Sequence, residues 1–374
     1  MKTLSNRLAL TCLIALTITP TLISGCAGAE EPTPGLVGGI EADSPETADD
    51  DQSALVEAVP GDDLLDLALP AAASKPGTQQ GALVGETSGF WAHTAGTAFR
   101  LKTGLAHILL PLRWVVNHFQ PRFQGRDKAV WMGSSPLDPQ QHLLVVRRRA
   151  ANVYRYALLA RLKSEAGNPA AWRLRIVGQS VGGIERHGSV WVNLDNDLDA
   201  NSEGKVLAHW TRNRAEGTRT ISAFFFGWSD GSEAPIDMAA HFAEENDGSG
   251  LLVHAVPDYD FNQGEAGKEA LEDAVLISRW NHTGAGRGDL VAAGGDVAAE
   301  GLEAAAVTQC WVPNTFISIF EAVTVKAPNS APIVLKTWGD FGQCAFADAA
   351  EPSLPQAAEP VAEADDVPEE AMIY

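Results

Sequence analysis

Cysteine is scarce in this chain of 374 residues: four, at positions 12, 26, 310 and 344. None has a Cys-x-x-Cys partner, which argues against the clustered thiolates of a zinc ribbon or a thioredoxin-type redox site. Nine histidines occur, but no His-x-His or His-Glu-x-x-His spacing, so the helical zinc signature is absent. The longest nearly apolar stretch, Leu8–Ile23, is 16 residues, short of the roughly 20 that span a bilayer as a helix. Aromatic residues are missing from Ala27 to Gln80. Basic residues are missing from both flanks: Ala27–Ser74 has 12 acids and no Lys or Arg, and Ala347–Tyr374 has 8 acids and none. The net charge of −21 therefore belongs to the flanks, because Lys75–Phe346 carries 25 bases against 28 acids. Without a basic patch to neutralise phosphates, nucleic acid is excluded as a partner. The one basic cluster, Arg147-Arg148-Arg149, reads as a strand end or a solvated face.

What is present begins with an address. Lys2 and Arg7 precede the apolar stretch, which is the layout of a secretory signal. It closes on Leu22-Ile23-Ser24-Gly25-Cys26, not on Ala-x-Ala. This ending resembles the lipobox of bacterial lipoproteins: a branched apolar residue, two small residues, then cysteine. The resemblance implies that Cys26 takes a thioether-linked diacylglycerol, becomes the mature N-terminus and carries palmitate-type acyl chains. Ala27, in place of Asp, implies an outer-membrane destination in a two-membrane bacterium. The expected partner is thus the membrane, reached through the lipid on Cys26. Cys12 leaves with the signal, so Cys310 and Cys344 remain, and an even pair in an exported chain reads as a disulfide.

The expected organisation is a signal peptide over 1–25, a disordered acidic tether over 26–82, a β-rich folded domain over 83–346 and a disordered acidic tail over 347–374. The tether lacks the apolar surface needed to offset ordering, although Leu55, Leu64, Leu65 and Leu67 allow a transient helix over Ser53–Leu69. Over Thr87–Phe119, Phe90, Trp91, Phe99, Leu101, Leu105, Ile108, Leu109, Leu112 and Val116 recur at steps of three and four. That spacing predicts an amphipathic helix, capped by Ser88 and kinked or interrupted at Pro111. From Lys128 the period becomes two. Strands are expected at 153–163, 172–176, 189–194, 205–211, 218–226, 235–242, 250–256, 274–280, 305–312 and 315–325, with turns such as Glu216-Gly217 and Asp247-Gly248 between them. The fold class is mainly β: an antiparallel meander that forms a barrel or sandwich to cover its apolar face, with an N-terminal amphipathic helix.

A second resemblance lies near the C-terminus. Arg279-Trp280-Asn281, Gly284-Ala285-Gly286-Arg287-Gly288-Asp289, Gly294-Gly295-Asp296, Cys310-Trp311 and the late Cys344 are similar to a pattern in uncharacterised bacterial lipoproteins. It covers about the last quarter of the folded region. It implies a shared C-terminal disulfide and no particular activity.

Catalytic signals are weak. Gly178-Gln179-Ser180-Val181-Gly182 and Gly227-Trp228-Ser229-Asp230-Gly231 both match Gly-x-Ser-x-Gly. A nucleophile elbow requires a strand before the serine and a helix after it, and here another strand follows each. A serine hydrolase using Ser180, with Asp258 and His282 downstream, is the alternative reading. Asp195, Asp197 and Asp199 alternate like the start of a calcium loop, but Ala200 and Val206 stand where an EF-hand needs Gly and Glu, so they are a weak calcium candidate. Gly284–Gly288 has no strand-to-helix unit around it and reads as a loop rather than a phosphate cradle. Trp131, Trp172, Trp191, Trp210, Trp228, Trp280 and Trp311 fall on or beside strands, where they fill a core or line a cavity for an apolar ligand. No cofactor is implied. The expected function is a non-catalytic, lipid-anchored lipoprotein of the cell envelope, with an apolar ligand or a structural role. A surface adhesin or assembly subunit is a further alternative.

Overall fold

The computed structural model describes residues 55–60, 67, 69 and 84–349, apart from 137, 184, 197–202, 230–234, 260–266 and 269. Cys26, its signal and the acidic tail lie outside the described residues.

The first long helix is α1 (Gly89–His118). Strands β1 (Pro121–Gln124), β2 (Lys128–Gly133), β3 (Gln140–Ala150), β4 (Val153–Leu162) and β5 (Arg173–Val181) follow. Next come β6 (Glu185–Asn193), β7 (Glu203–Asn213), β8 (Thr218–Ser229), β9 (Ile236–Glu244) and β10 (Gly250–Tyr259). The chain continues through β11 (Glu272–Trp280), β12 (Gly286–Gly294), the short helix α2 (Gly295–Ala299), β13 (Ala304–Trp311), β14 (Ser318–Lys326) and β15 (Ile333–Gly339). The fifteen strands form one antiparallel sheet in strict sequence order.

The expected barrel or sandwich is therefore corrected. There is one sheet, with β1 and β15 as its two edges, and it is not closed. The physical reason is α1. Leu101, Leu105, Leu109, Leu112 and Val115 of the helix share one buried cluster with Trp131, Leu144, Tyr156, Ile176, Val192, Val206, Phe225, Phe242, Leu252 and Trp280, which come from β2 to β11. The sheet curls into an open trough and the helix lies in it. Its apolar face is covered without edge-to-edge closure, and burial of this kind stabilises by about 25 cal/mol per Å² of apolar surface.

Helix α1 starts where Ser88 Oγ accepts from Trp91 N (3.2 Å), and the same hydroxyl donates to Gln309 Oε1 on β13 at 2.5 Å. Gln309 Oε1 also accepts from Phe90 N, and Gln309 Nε2 donates to Glu321 Oε2 on β14. The cap thus fixes the helix to the sheet as well as satisfying its first turn. Pro111 sits inside the helix, which runs on to His118. Phe99 and Leu110 point away from the trough and are exposed.

Several strand glycines make room for aromatic side chains. Gly178 is paired with Tyr156, Gly188 with Trp210, Gly250 with Trp280 and Gly286 with Trp311 across neighbouring strands. A Cβ at any of the four would overlap that ring. At Gly288 a Cβ would meet Phe90 of α1 at 2.9 Å. The two last indoles also hold turns in place: Trp280 Nε1 donates to Gly248 O and Trp311 Nε1 to Gly284 O, each 3.1 Å.

Of the Gly-rich stretch expected to be a loop, Gly284 and Ala285 are in the β11–β12 turn, while Gly286 to Gly288 start β12, an inner strand of the sheet. Its pattern hides that role. On the helix face Gly286 and Gly288 replace apolar side chains, because Trp311 and Phe90 occupy the space. On the outer face Arg287 and Asp289 are buried as an ion pair. The two sheet edges also differ. Edge β1 is four residues long and starts at a proline, which blunts strand addition. Edge β15 is seven residues long, and Ile333, Val334 and Leu335 are 57–59% exposed.

Candidate functional site

Residues 55–60 lie in the stretch that composition places in the tether, yet they pack as a strap on the domain. Leu55, Ala58 and Val59 are buried in the main core. A short apolar cluster needs no helix-length pattern when a prepared apolar surface receives it. The strap crosses the ends of β5 and β6. Ser180 Oγ of β5 donates to Ala58 O at 2.6 Å, and Glu57 Oε2 lies 3.5 Å from Arg186 Nη2 of β6.

Between strap and sheet is a cavity of about 160 Å³. It is lined by Tyr154, Ser180 and Trp210, by Asn152 and the Gly182-Gly183 turn, and by Arg186 and Arg212. Register explains the charge. Arg186 is directly opposite Arg212, and Arg212 is directly opposite Arg219. Like charges directly opposed across strands are unfavourable. The third is neutralised, since Arg219 makes an ion pair with Glu244, with Nε to Oε2 at 2.7 Å. Arg186 Nε is buried with no hydrogen-bond partner among the described residues, and Glu57 is 65% exposed at its side chain.

A second polar group lies under the first turns of α1. His93 Nε2 and His254 Nδ1 are 3.0 Å apart, and Thr97 Oγ1 is 3.3 Å from the same His254 nitrogen. Thr94 Oγ1 and Ser278 Oγ are 2.5 Å apart. Burial disfavours the imidazolium and pushes His254 down to about 3, with His93 and Arg100 adding positive charge nearby. Burial also lowers His93. Both rings therefore stay neutral at neutral pH, as a hydrogen-bonded structural pair.

On the outer face, Cys310 of β13 and Cys344 lie at disulfide distance, with Cα atoms 5.6 Å apart. The segment after β15 is clasped there. Arg287 Nη1 donates to Phe346 O and Ala349 O, and its guanidinium lies 5.4 Å from the centre of the Phe341 ring. Reducing the pair, or making Cys344→Ser, is expected to lower stability by roughly 3–4 kcal/mol, as loop closure across 34 residues predicts. Urea midpoints with and without reductant measure this, and coincident midpoints would show that the link adds nothing.

The residues expected to carry catalysis do not assemble around Ser180. It lies within β5 and its hydroxyl donates to the strap carbonyl. Strand β6 follows it, without the helix an elbow needs. Ser229 ends β8, and His282 sits in the β11–β12 turn, six strands from β5. Asp258 is on β10. Of the calcium candidates, Asp195 accepts from Gly204 N at 2.8 Å, and Asp197 and Asp199 lie outside the described residues. Among the described residues no group of three or more His, Cys, Asp and Glu could hold a metal ion, and no helix is long and apolar enough to cross a membrane. Of the seven strand tryptophans, Trp131, Trp210, Trp280 and Trp311 are core, while Trp172, Trp191 and Trp228 are half-buried.

Arg186, Arg212 and Glu57 were not singled out by sequence. The two arginines are 26 positions apart, and only the β6–β7 register brings them opposite each other. A hairpin alignment that sets Val192 opposite Val206 would have found them. No protein-family model, curated protein or solved structure matches the chain.

Proposed function

We propose that this chain is a non-catalytic lipoprotein of the cell envelope, held to the membrane through lipid on Cys26 and serving a structural role. The observation that supports a structural role over apolar-ligand carriage is the filled trough. Where a lipid carrier needs a hollow, α1 inserts Leu101, Leu105, Leu109, Leu112 and Val115 against the sheet. A lipid-sized ligand would have to displace that helix and expose its apolar face to water. The signal layout ending at Cys26 supports the address, and the paired Cys310 and Cys344 suit an oxidising compartment.

The test is chemical. Intact mass spectrometry of chain purified from membranes is expected to find Cys26 as a diacylglycerol-modified N-terminus, and Cys26→Ala is expected to leave the chain unlipidated. An unmodified chain that starts elsewhere would sink the tether. Solvent extraction of the folded domain should yield no stoichiometric lipid beyond the anchor. Recovery of one bound lipid per chain would favour ligand carriage instead. Ser180→Ala should leave any esterase signal unchanged, and its loss would revive the hydrolase.

A further inference from the structure

We propose that the outer face of β7–β9 binds one divalent transition-metal ion, Cu2+ in preference to Zn2+, between His209 and His241. This does not depend on the lipid tether. His209 on β7 is directly opposite Ser222 on β8, and Ser222 is directly opposite His241 on β9. The three side chains therefore project from one face of the sheet in one row. The two histidines are 32 positions apart, and only the register of three strands brings them together.

Two inter-strand steps separate β7 from β9, about 10 Å. One ring already leans into that gap, since His241 Nδ1 lies 2.8 Å from Ser222 Oγ on the middle strand. Ser222 is buried beneath, while His209 is exposed, so an ion reaches the row from solvent. Metal on Nε2 of His241 requires the tautomer in which Nδ1–H donates to Ser222 Oγ. Outer-shell hydrogen bonds of this kind orient metal-bound imidazoles and raise their basicity. Desolvation by neighbouring side chains disfavours the imidazolium in both rings, and the neutral ring is the form that ligates. The residues directly opposite the outer two, Ser189 and Val253, bring no cation to repel the ion. The other histidine pair lacks these properties. His93 and His254 spend their facing nitrogens on each other, and Arg100 adds positive charge beside them. Two imidazoles with water in the remaining positions suit Cu2+, which also heads the affinity order for nitrogen ligands. Ca2+ and Mg2+ would need carboxylates, which this row lacks.

The probe is Cu2+ itself, titrated into the full-length chain in a glycine buffer that keeps weaker sites empty. Electron paramagnetic resonance is expected to show one saturable site with nitrogen couplings from two imidazoles. His209→Gln should remove one coupling and weaken binding. Because His209 is exposed, that variant remains a test even if His241→Gln fails to fold. Ser222→Ala should keep both couplings yet weaken binding about tenfold, as loss of an outer-shell partner does. His282→Gln, an exposed histidine of the β11–β12 turn, should change nothing. The proposal is overturned by failure to saturate at one equivalent, by a spectrum unchanged in His209→Gln, or by an equal loss in His282→Gln. Displacement of Cu2+ by equimolar Zn2+ would overturn the preference for copper.

Discussion

Asp289→Ala should destabilise the domain by about 3–5 kcal/mol, the cost of leaving a buried charge uncompensated. Asp289 Oδ1 accepts from Arg287 Nε (2.9 Å), Arg287 Nη2 (2.8 Å) and Thr308 Oγ1 (2.7 Å), while Oδ2 faces Arg279 Nη1 at 3.2 Å. Both side chains of the central pair are 1–2% exposed. With the carboxylate gone, the Arg287 guanidinium keeps only the Phe346 and Ala349 carbonyls as hydrogen-bond acceptors among the described residues. Urea unfolding measures the loss. The double variant Arg287→Met with Asp289→Leu should recover most of it, because apolar replacement of a whole buried pair is often neutral or stabilising. If Asp289→Ala shifts the midpoint no more than a surface change would, the pair is solvated and the clasp reading fails. The clasp matters beyond stability. Arg287 joins β12 to the segment that carries Cys344, so the salt bridge and the cysteine pair hold the same piece of chain.

That pair also shows where a sequence can be read and where it cannot. Strand β4 runs Val153–Leu162, against an expected strand over 153–163, because Tyr154, Tyr156, Leu158 and Ala160 meet the trough while Arg155 and Arg161 do not. One face is apolar and the other polar, so the period is visible. Strand β12 breaks the rule on both faces: glycine stands where α1 and an indole press close, and a charged pair stands where the chain end covers it. Each substitution is intelligible only through a partner far along the chain. Strand β15 was missed for the opposite reason, since both of its faces are exposed and no alternation is selected. Whether the sheet closes was not legible either. Period and turn chemistry give the neighbour order, but curvature depends on what fills the trough, and α1 does that. The cavity under the strap needs register, the strap and two strands together, none of which leaves a local pattern.

Acid should weaken this domain through His254 well before most carboxylates titrate. Its folded value of about 3 lies below the ordinary 6.5 of an unfolded histidine. Between those two values the unfolded chain binds a proton that the folded one refuses, so stability is complete above about pH 6.5 and falls as pH falls. At ~1.4 kcal/mol per pH unit, the loss reaches about 2 kcal/mol by pH 5 and roughly 4–5 kcal/mol near pH 3. Groups packed around the ring set this value. On α1, His93 shares a hydrogen bond with the ring, Thr97 touches the same nitrogen and Arg100 adds positive charge. The residues directly opposite His254 on β9 and β11 are Ala240 and Leu276, which bring no anion. Protonation would place a cation in this pocket with no carboxylate paired to it among the described residues. His254→Asn keeps a neutral hydrogen-bonding side chain there, so its stability should drop about 2 kcal/mol less than the parent's between pH 7 and pH 5. Because His93 is also lowered by burial, adding His93→Asn should flatten the profile further. Equal slopes for parent and variants, measured by urea unfolding at the two pH values, would mean that His254 accepts its proton in the folded domain and that α1 does not seal it from water.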